Sequence, residues 1–103
     1  MDPHSMTKKD IERISTPVFR KYDVRRAGLF GSFARGEQRP ASDLDFLVEF
    51  PMVVTLFTLG ELKADLEEAF GRQCDVLTYS SVESDVGALS ETIRKEAQPL
   101  YGY

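Results

Sequence analysis

The sequence predicts an α/β (α+β) domain, a small mixed sheet flanked by helices, and three observations carry that prediction. Residues 43–50 alternate in the period-two pattern of a strand. Leu56, Leu59, Leu62, Leu66 and Phe70 then recur every three or four residues, with charges between them, as in an amphipathic helix. Residues 74–79 return to a short strand-like run. A helix between two strands is the crossover that joins parallel neighbours.

Taken in order, Thr7 and Asp10 form a capping-box pattern, so a first helix starts near Lys8. Ile11, Ile14 and Val18 give it an apolar stripe. Pro17 interrupts that stripe, either kinking the helix or, with Thr16 as cap, restarting it as a second short one. Asp23 marks a turn, and residues 24–30 read as the first strand, ending at Gly31. Residues 32–35 fit one helical turn closed by Gly36, and residues 37–42, with Pro40, read as loop.

In the second strand Leu44, Phe46, Val48 and Phe50 share one face, and Asp43, Asp45, Leu47 and Glu49 the other. Pro51 ends it; residues 53–55 fit strand or helix. The long helix contains Gly60 and stops at Gly71. After the third strand, Ser80 and Ser81 begin a loop, residues 88–97 form a last helix stopped before Pro99, and residues 100–103 add a short edge strand.

The 103 residues suffice for one domain, spanning residues 6–103; residues 1–5 read as an expression-tag remnant. No run of 18 apolar residues and no signal-peptide pattern occurs, so a soluble, cytoplasmic protein without membrane contact is expected. The one cysteine, Cys74, cannot close an internal disulfide and reads as a buried thiol. Net charge is −4, from 13 basic and 17 acidic residues, which argues against general nucleic-acid coating. Basic residues nonetheless gather early, at Lys8, Lys9, Arg13, Arg20, Lys21, Arg25 and Arg26. A solvated helix face accounts for them, with a partner-binding face as the other reading.

The chemistry lies between Gly31 and Asp45. Asp43 and Asp45 are i and i+2 on a strand, hence on one face, with Cα atoms roughly 6.5–7 Å apart. Two carboxylates held so close repel, and a hard cation such as Mg²⁺ or Mn²⁺ relieves them. A bare pair of this kind is equally an acidic, solvated start to a strand. Upstream, Gly31 lets backbone approach a ligand, and Ser32 opens a turn whose free N–H groups favour an anion. Arg35, one turn on, fits a phosphate contact or a surface ion pair. An anion site beside an acidic pair is consistent only with a bridging metal. Phosphate, Mg²⁺ and carboxylates are the ingredients of phosphoryl or nucleotidyl transfer. Asp75, early in the third strand, is the candidate third carboxylate, or else an acid left in solvent.

Gly31-Ser32, ten intervening residues, Asp43-Leu44-Asp45 and the later Asp75-Val76-Leu77 resemble the DNA polymerase β-like nucleotidyltransferases. More narrowly, with Ala34-Arg35-Gly36 and Ser42, the chain is similar to minimal nucleotidyltransferase (MNT) domain proteins from about residue 8 to the end. The resemblance implies the polymerase β-like fold, ATP as substrate and two Mg²⁺ ions. Asp43 and Asp45 would hold both ions and Asp75 one of them. Gly31 and Ser32 would hold the terminal phosphates, with Arg35 and Ser42 as further phosphate contacts. The implied reaction moves AMP to a tyrosine hydroxyl of a HEPN-domain toxin encoded nearby, so that the chain acts as an antitoxin. Two other readings stay open: a non-catalytic subunit that neutralises its partner by contact, and one subunit of a bipartite nucleotidyltransferase acting on a small molecule or RNA. A homo- or hetero-oligomer is compatible with each.

Overall fold

Thr7 starts the first helix as the capping box predicts. Its hydroxyl accepts from Asp10 N at 3.2 Å, and Asp10 Oδ2 accepts from Thr7 N at 3.0 Å. The computed structural model describes residues 7–31, 43–84, 91 and 95–102. Within them the elements run α1 (Lys8–Lys21), β1 (Arg26–Phe30), β2 (Leu44–Glu49), α2 (Leu56–Phe70), β3 (Cys74–Thr78), α3 (Tyr79–Ser84) and β4 (Gln98–Tyr101).

Helix α1 runs unbroken through Pro17. Thr16 does not cap a new helix, because its hydroxyl donates back to Glu12 O at 2.6 Å. The buried stripe is Ile11, Ser15 and Phe19, rotated from the expected one, with Ile14 and Val18 half-buried beside it. Helix α2 is capped by Thr55, so residues 53–55 are neither strand nor helix. It ends at Gly71, whose φ of 66° is the left-handed conformation glycine supplies without steric cost.

The sheet order is β3-β2-β1-β4. β1 lies antiparallel to β2 and to β4, whereas β2 and β3 are parallel, joined by the α2 crossover as expected. β4 starts two residues earlier than the sequence suggests. Pro99 is tolerated there because β4 is an edge strand, where a missing N–H breaks no central ladder. The expected last helix falls largely outside the described residues, although Glu91, Lys95 and Glu96 are helical.

One correction concerns Ser80 and Ser81, which are helical and not loop. Thr78 Oγ1 accepts from Ser81 N at 3.1 Å, so Thr78 caps α3 directly off the end of β3.

The main core fills the sheet face under α1 and α2. Phe19, Leu29, Leu44, Phe46, Val48, Leu62, Leu66 and Cys74 are all buried in it, and the Phe19 and Phe46 rings meet edge-on at 5.8 Å. Asp65 ties the two helices at their rim, accepting from Tyr22 Oη at 2.7 Å and Lys21 Nζ at 2.8 Å. No helix among the described residues is long and apolar enough to cross a membrane.

Candidate functional site

Strand register brings the acidic residues together. Phe30 lies opposite Asp45 across the antiparallel pair, and Asp45 lies opposite Asp75 across the parallel one. Neighbouring strands run about 4.8 Å apart, so Asp45 and Asp75 sit side by side on the outer face. Residues thirty positions apart in sequence thus become adjacent because the α2 crossover returns the chain parallel to β2. Asp43 immediately precedes β2 and is half-buried, like Asp45, while Asp75 is exposed. Leu44 N donates to Gln73 O at 3.1 Å, which extends the parallel ladder to the level of Asp43.

Gly31 completes this end of the sheet. Its φ is 77°, a conformation that side chains rarely adopt. A Cβ there would overlap Asp45 Oδ2 and lie 3.1 Å from its Cγ. The space a side chain would fill is occupied by the Asp45 carboxylate. Gly31 is therefore required twice, for the turn out of β1 and for the position of Asp45.

Elsewhere the outer face is covered. Leu47, which the alternation groups with the acids, is fully buried under Phe30, Tyr79 and Ala97. At the far end Arg26 Nε meets Glu49 Oε2 at 3.1 Å, and the Arg26 guanidinium lies 4.1 Å from the Tyr79 ring centroid. Tyr79 was not marked by its sequence context, because its placement depends on the capped start of α3. It packs against Leu47 and under the Arg26 guanidinium on this face.

The early basic residues are mainly taken up within the chain. Arg13 pairs with Asp10, Lys21 with Asp65, and Arg25 and Arg26 with Glu49. Cys74 is buried as expected, and burial first, then the nearby Glu67 charge, pushes its thiol up to about 12. It is inert core, one position from Asp75.

Ser32, Arg35 and Ser42 lie outside the described residues. Among the described residues no three acidic, histidine or cysteine side chains already converge around one point as a metal's ligands would. What the described residues supply is an all-oxygen donor set on one sheet face, with room held open by Gly31. That set suits a hard divalent cation whose remaining ligands come from a phosphate.

Residues 11–100 match the nucleotidyltransferase domain family. A Methanocaldococcus jannaschii protein assigned as a protein adenylyltransferase is 47% identical over 77 residues, covering 75% of this chain and 83% of that protein. The protein adenylyltransferase MntA of Thermococcus cleftensis is 34% identical over 95 residues, covering 88% and 93%. A solved structure described as a minimal nucleotidyltransferase aligns with a TM-score of 0.72 at 31% identity, covering 93% of this chain and 98% of that one. The fold is also that of a chain in the complex of a tri-AMPylated Shewanella oneidensis HEPN toxin with its MNT antitoxin, with a TM-score of 0.70 at 18% identity, covering 94% and 74%.

Proposed function

The chain belongs to the nucleotidyltransferase domain family, and from that premise we propose that it is a Mg²⁺-dependent protein adenylyltransferase that moves AMP from ATP to a tyrosine hydroxyl of a HEPN-domain toxin, as its antitoxin. The observation that carries this reading is the register that aligns Asp45 with Asp75, beside a glycine whose missing side chain makes room for Asp45.

In the reaction, the acceptor oxygen attacks the α-phosphorus of ATP, the bond to the bridging oxygen breaks, and pyrophosphate leaves. Asp75, exposed at the start of β3, takes the acceptor proton. Asp43, Asp45 and Asp75 would hold two Mg²⁺ ions, Mn²⁺ serving in their place, and bound metal supplies charge neutralisation on the triphosphate. Gly31 and Ser32 receive the β- and γ-phosphates through backbone and hydroxyl donors, with Arg35 and Ser42 as further contacts. Leu47, Phe30 and Tyr79 keep the floor beyond the carboxylates apolar, which strengthens the electrostatics at the reacting end.

The test incubates the chain with the HEPN-domain protein encoded beside it, Mg²⁺ and ATP, and weighs the partner by intact mass spectrometry. An added AMP on the partner is expected. No adduct with ATP, GTP, CTP or UTP would overturn the enzymatic reading.

A further inference from the structure

Past the end of β2 the chain exposes apolar residues that its fold does not use. Met52, Val53, Leu56 and Phe57 are 75%, 99%, 86% and 79% exposed. Leu56 opens the heptad-like stripe of α2 by sequence, yet only Leu62 and Leu66 reach full burial. Large apolar side chains exposed singly are ordinary, but four of them within the six residues 52–57 are a cluster, and clustered apolar exposure is what interaction sites present. The patch is remote from the carboxylates, because the four residue steps from Asp45 to Glu49 alone span about 13 Å.

What borders the patch decides what it fits. Down α2 the exposed strip continues through Gly60 and Ala64. A Cβ on Gly60 would meet nothing within 4 Å, so no contact inside the chain accounts for a glycine in mid-helix. A flat strip of this kind admits the close approach of another helix. Helix α2 carries four carboxylates against one lysine. Asp65 and Glu67 are engaged by Lys21 and Lys63, whereas exposed Glu61 and Glu68 carry no ion pair among the described residues. On the other side, a cavity of about 640 Å³ separates Met52 and Val54 from Arg20 and Asp23, whose opposite charges offset. The net border is acidic. A second copy would set acid against acid, which like-charge repulsion disfavours.

We infer that this face docks the acceptor protein through an amphipathic helix. Its apolar side covers Val53, Leu56 and Phe57, and its lysines or arginines meet Glu61 and Glu68. The inference rests on the reading of the acceptor as a HEPN-domain protein, and it separates docking from chemistry, which occupy opposite ends of β2.

The experiment measures binding of the purified neighbouring HEPN-domain protein to the full chain, its Leu56→Arg/Phe57→Arg variant and its Glu61→Lys/Glu68→Lys variant. Mg²⁺-ATP binding and thermal melting are followed in parallel. Both substituted pairs are exposed, so melting and nucleotide binding should match the parent chain. The arginine variant should bind the partner about 100-fold more weakly. The lysine variant should lose about tenfold, with a flatter salt dependence. Unchanged partner affinity in both variants overturns the docking surface alone. No binding by the parent chain removes the HEPN partner from the proposed function, and the docking surface with it. A parent chain that sediments alone as a dimer, and as a monomer after Leu56→Arg/Phe57→Arg, assigns the face to a second copy and overturns the inference.

Discussion

On one strand, Leu44, Phe46 and Val48 are buried against α1 and α2, while Asp45, between the first two, faces outward beside Asp75. Neighbouring positions thus meet opposite environments, because successive strand side chains point to opposite faces. One alternating segment thus separates stability from chemistry. Changes on the inner face should cost folding free energy and leave the reaction chemistry alone; changes on the outer face at the acidic end should do the reverse. Leu47 is the exception. It is on the outer face and still wholly buried, so the division holds at the acidic end of the strand and not along its length.

The largest expected effect on this division is at Asp75. Asp75→Asn keeps the size and removes the proton acceptor, and AMP transfer should fall about 1,000-fold. Because Asp75 is exposed, the denaturant midpoint should not move. A rate within tenfold of the parent would take Asp75 out of the reaction. Next comes the inner face. Phe46→Ala should cost about 3–5 kcal/mol in urea unfolding, with the folded fraction still transferring AMP. Leu47→Ala should cost about 2 kcal/mol, the low end for such a change, because its cluster is small. A Leu47→Ala cost equal to that of Phe46→Ala would mean that the two faces are equally structural.

Gly31→Ala should sharpen the boundary, since it forces a side chain into the space of Asp45. Its strain should cost about 1–2 kcal/mol, and the displaced carboxylate should slow transfer about 100-fold or more. Equal transfer at saturating ATP would show that Asp45 need not sit where Gly31 admits it.

The smallest effect is expected far from the site, at the rim between α1 and α2. Bonds from Lys21 and Tyr22 hold the Asp65 carboxyl below its ordinary 3.8, and Asp65 in turn raises Lys21 and Tyr22 above 10.5 and 10.0. A depressed acid stabilises the fold above its unfolded value, and that contribution is lost as pH falls through the folded value. The raised Lys21 and Tyr22 stabilise below their unfolded values and lose that contribution as pH rises through the folded ones. The melting temperature should therefore gain from this contact between about pH 4 and 10, and Asp65→Asn should remove the gain without changing AMP transfer.

Much of this was legible in the residues. Period-two alternation located β2, helical spacing located α2, and a parallel crossover followed from their order. Asp43, Asp45 and Asp75 were visible as an acidic set. Their alignment was not, since register depends on where β3 starts against β2. The rotation of α1 was missed because Ser15 and Phe19, not Ile14 and Val18, take the buried stripe. Leu56 fits the core stripe by spacing, but periodicity does not report how far along α2 the burial extends, and it reaches Leu62 and Leu66 and not Leu56. The start of α3 was hidden because Thr78 serves both as the last strand residue and as the cap. Tyr79 and the apolar floor over Leu47 were hidden with it.

One measurement tests the division of β2 most directly. Asp43→Ala/Asp45→Ala is prepared beside the parent chain, and each preparation is split between thermal melting and intact-mass detection of AMP on the HEPN-domain partner with ATP and Mg²⁺. The expected result is a chain that still folds and melts cooperatively, because Asp43 and Asp45 lie outside the buried core, together with complete loss of the AMP adduct. An adduct formed at the parental rate, or a chain that no longer folds, would contradict it.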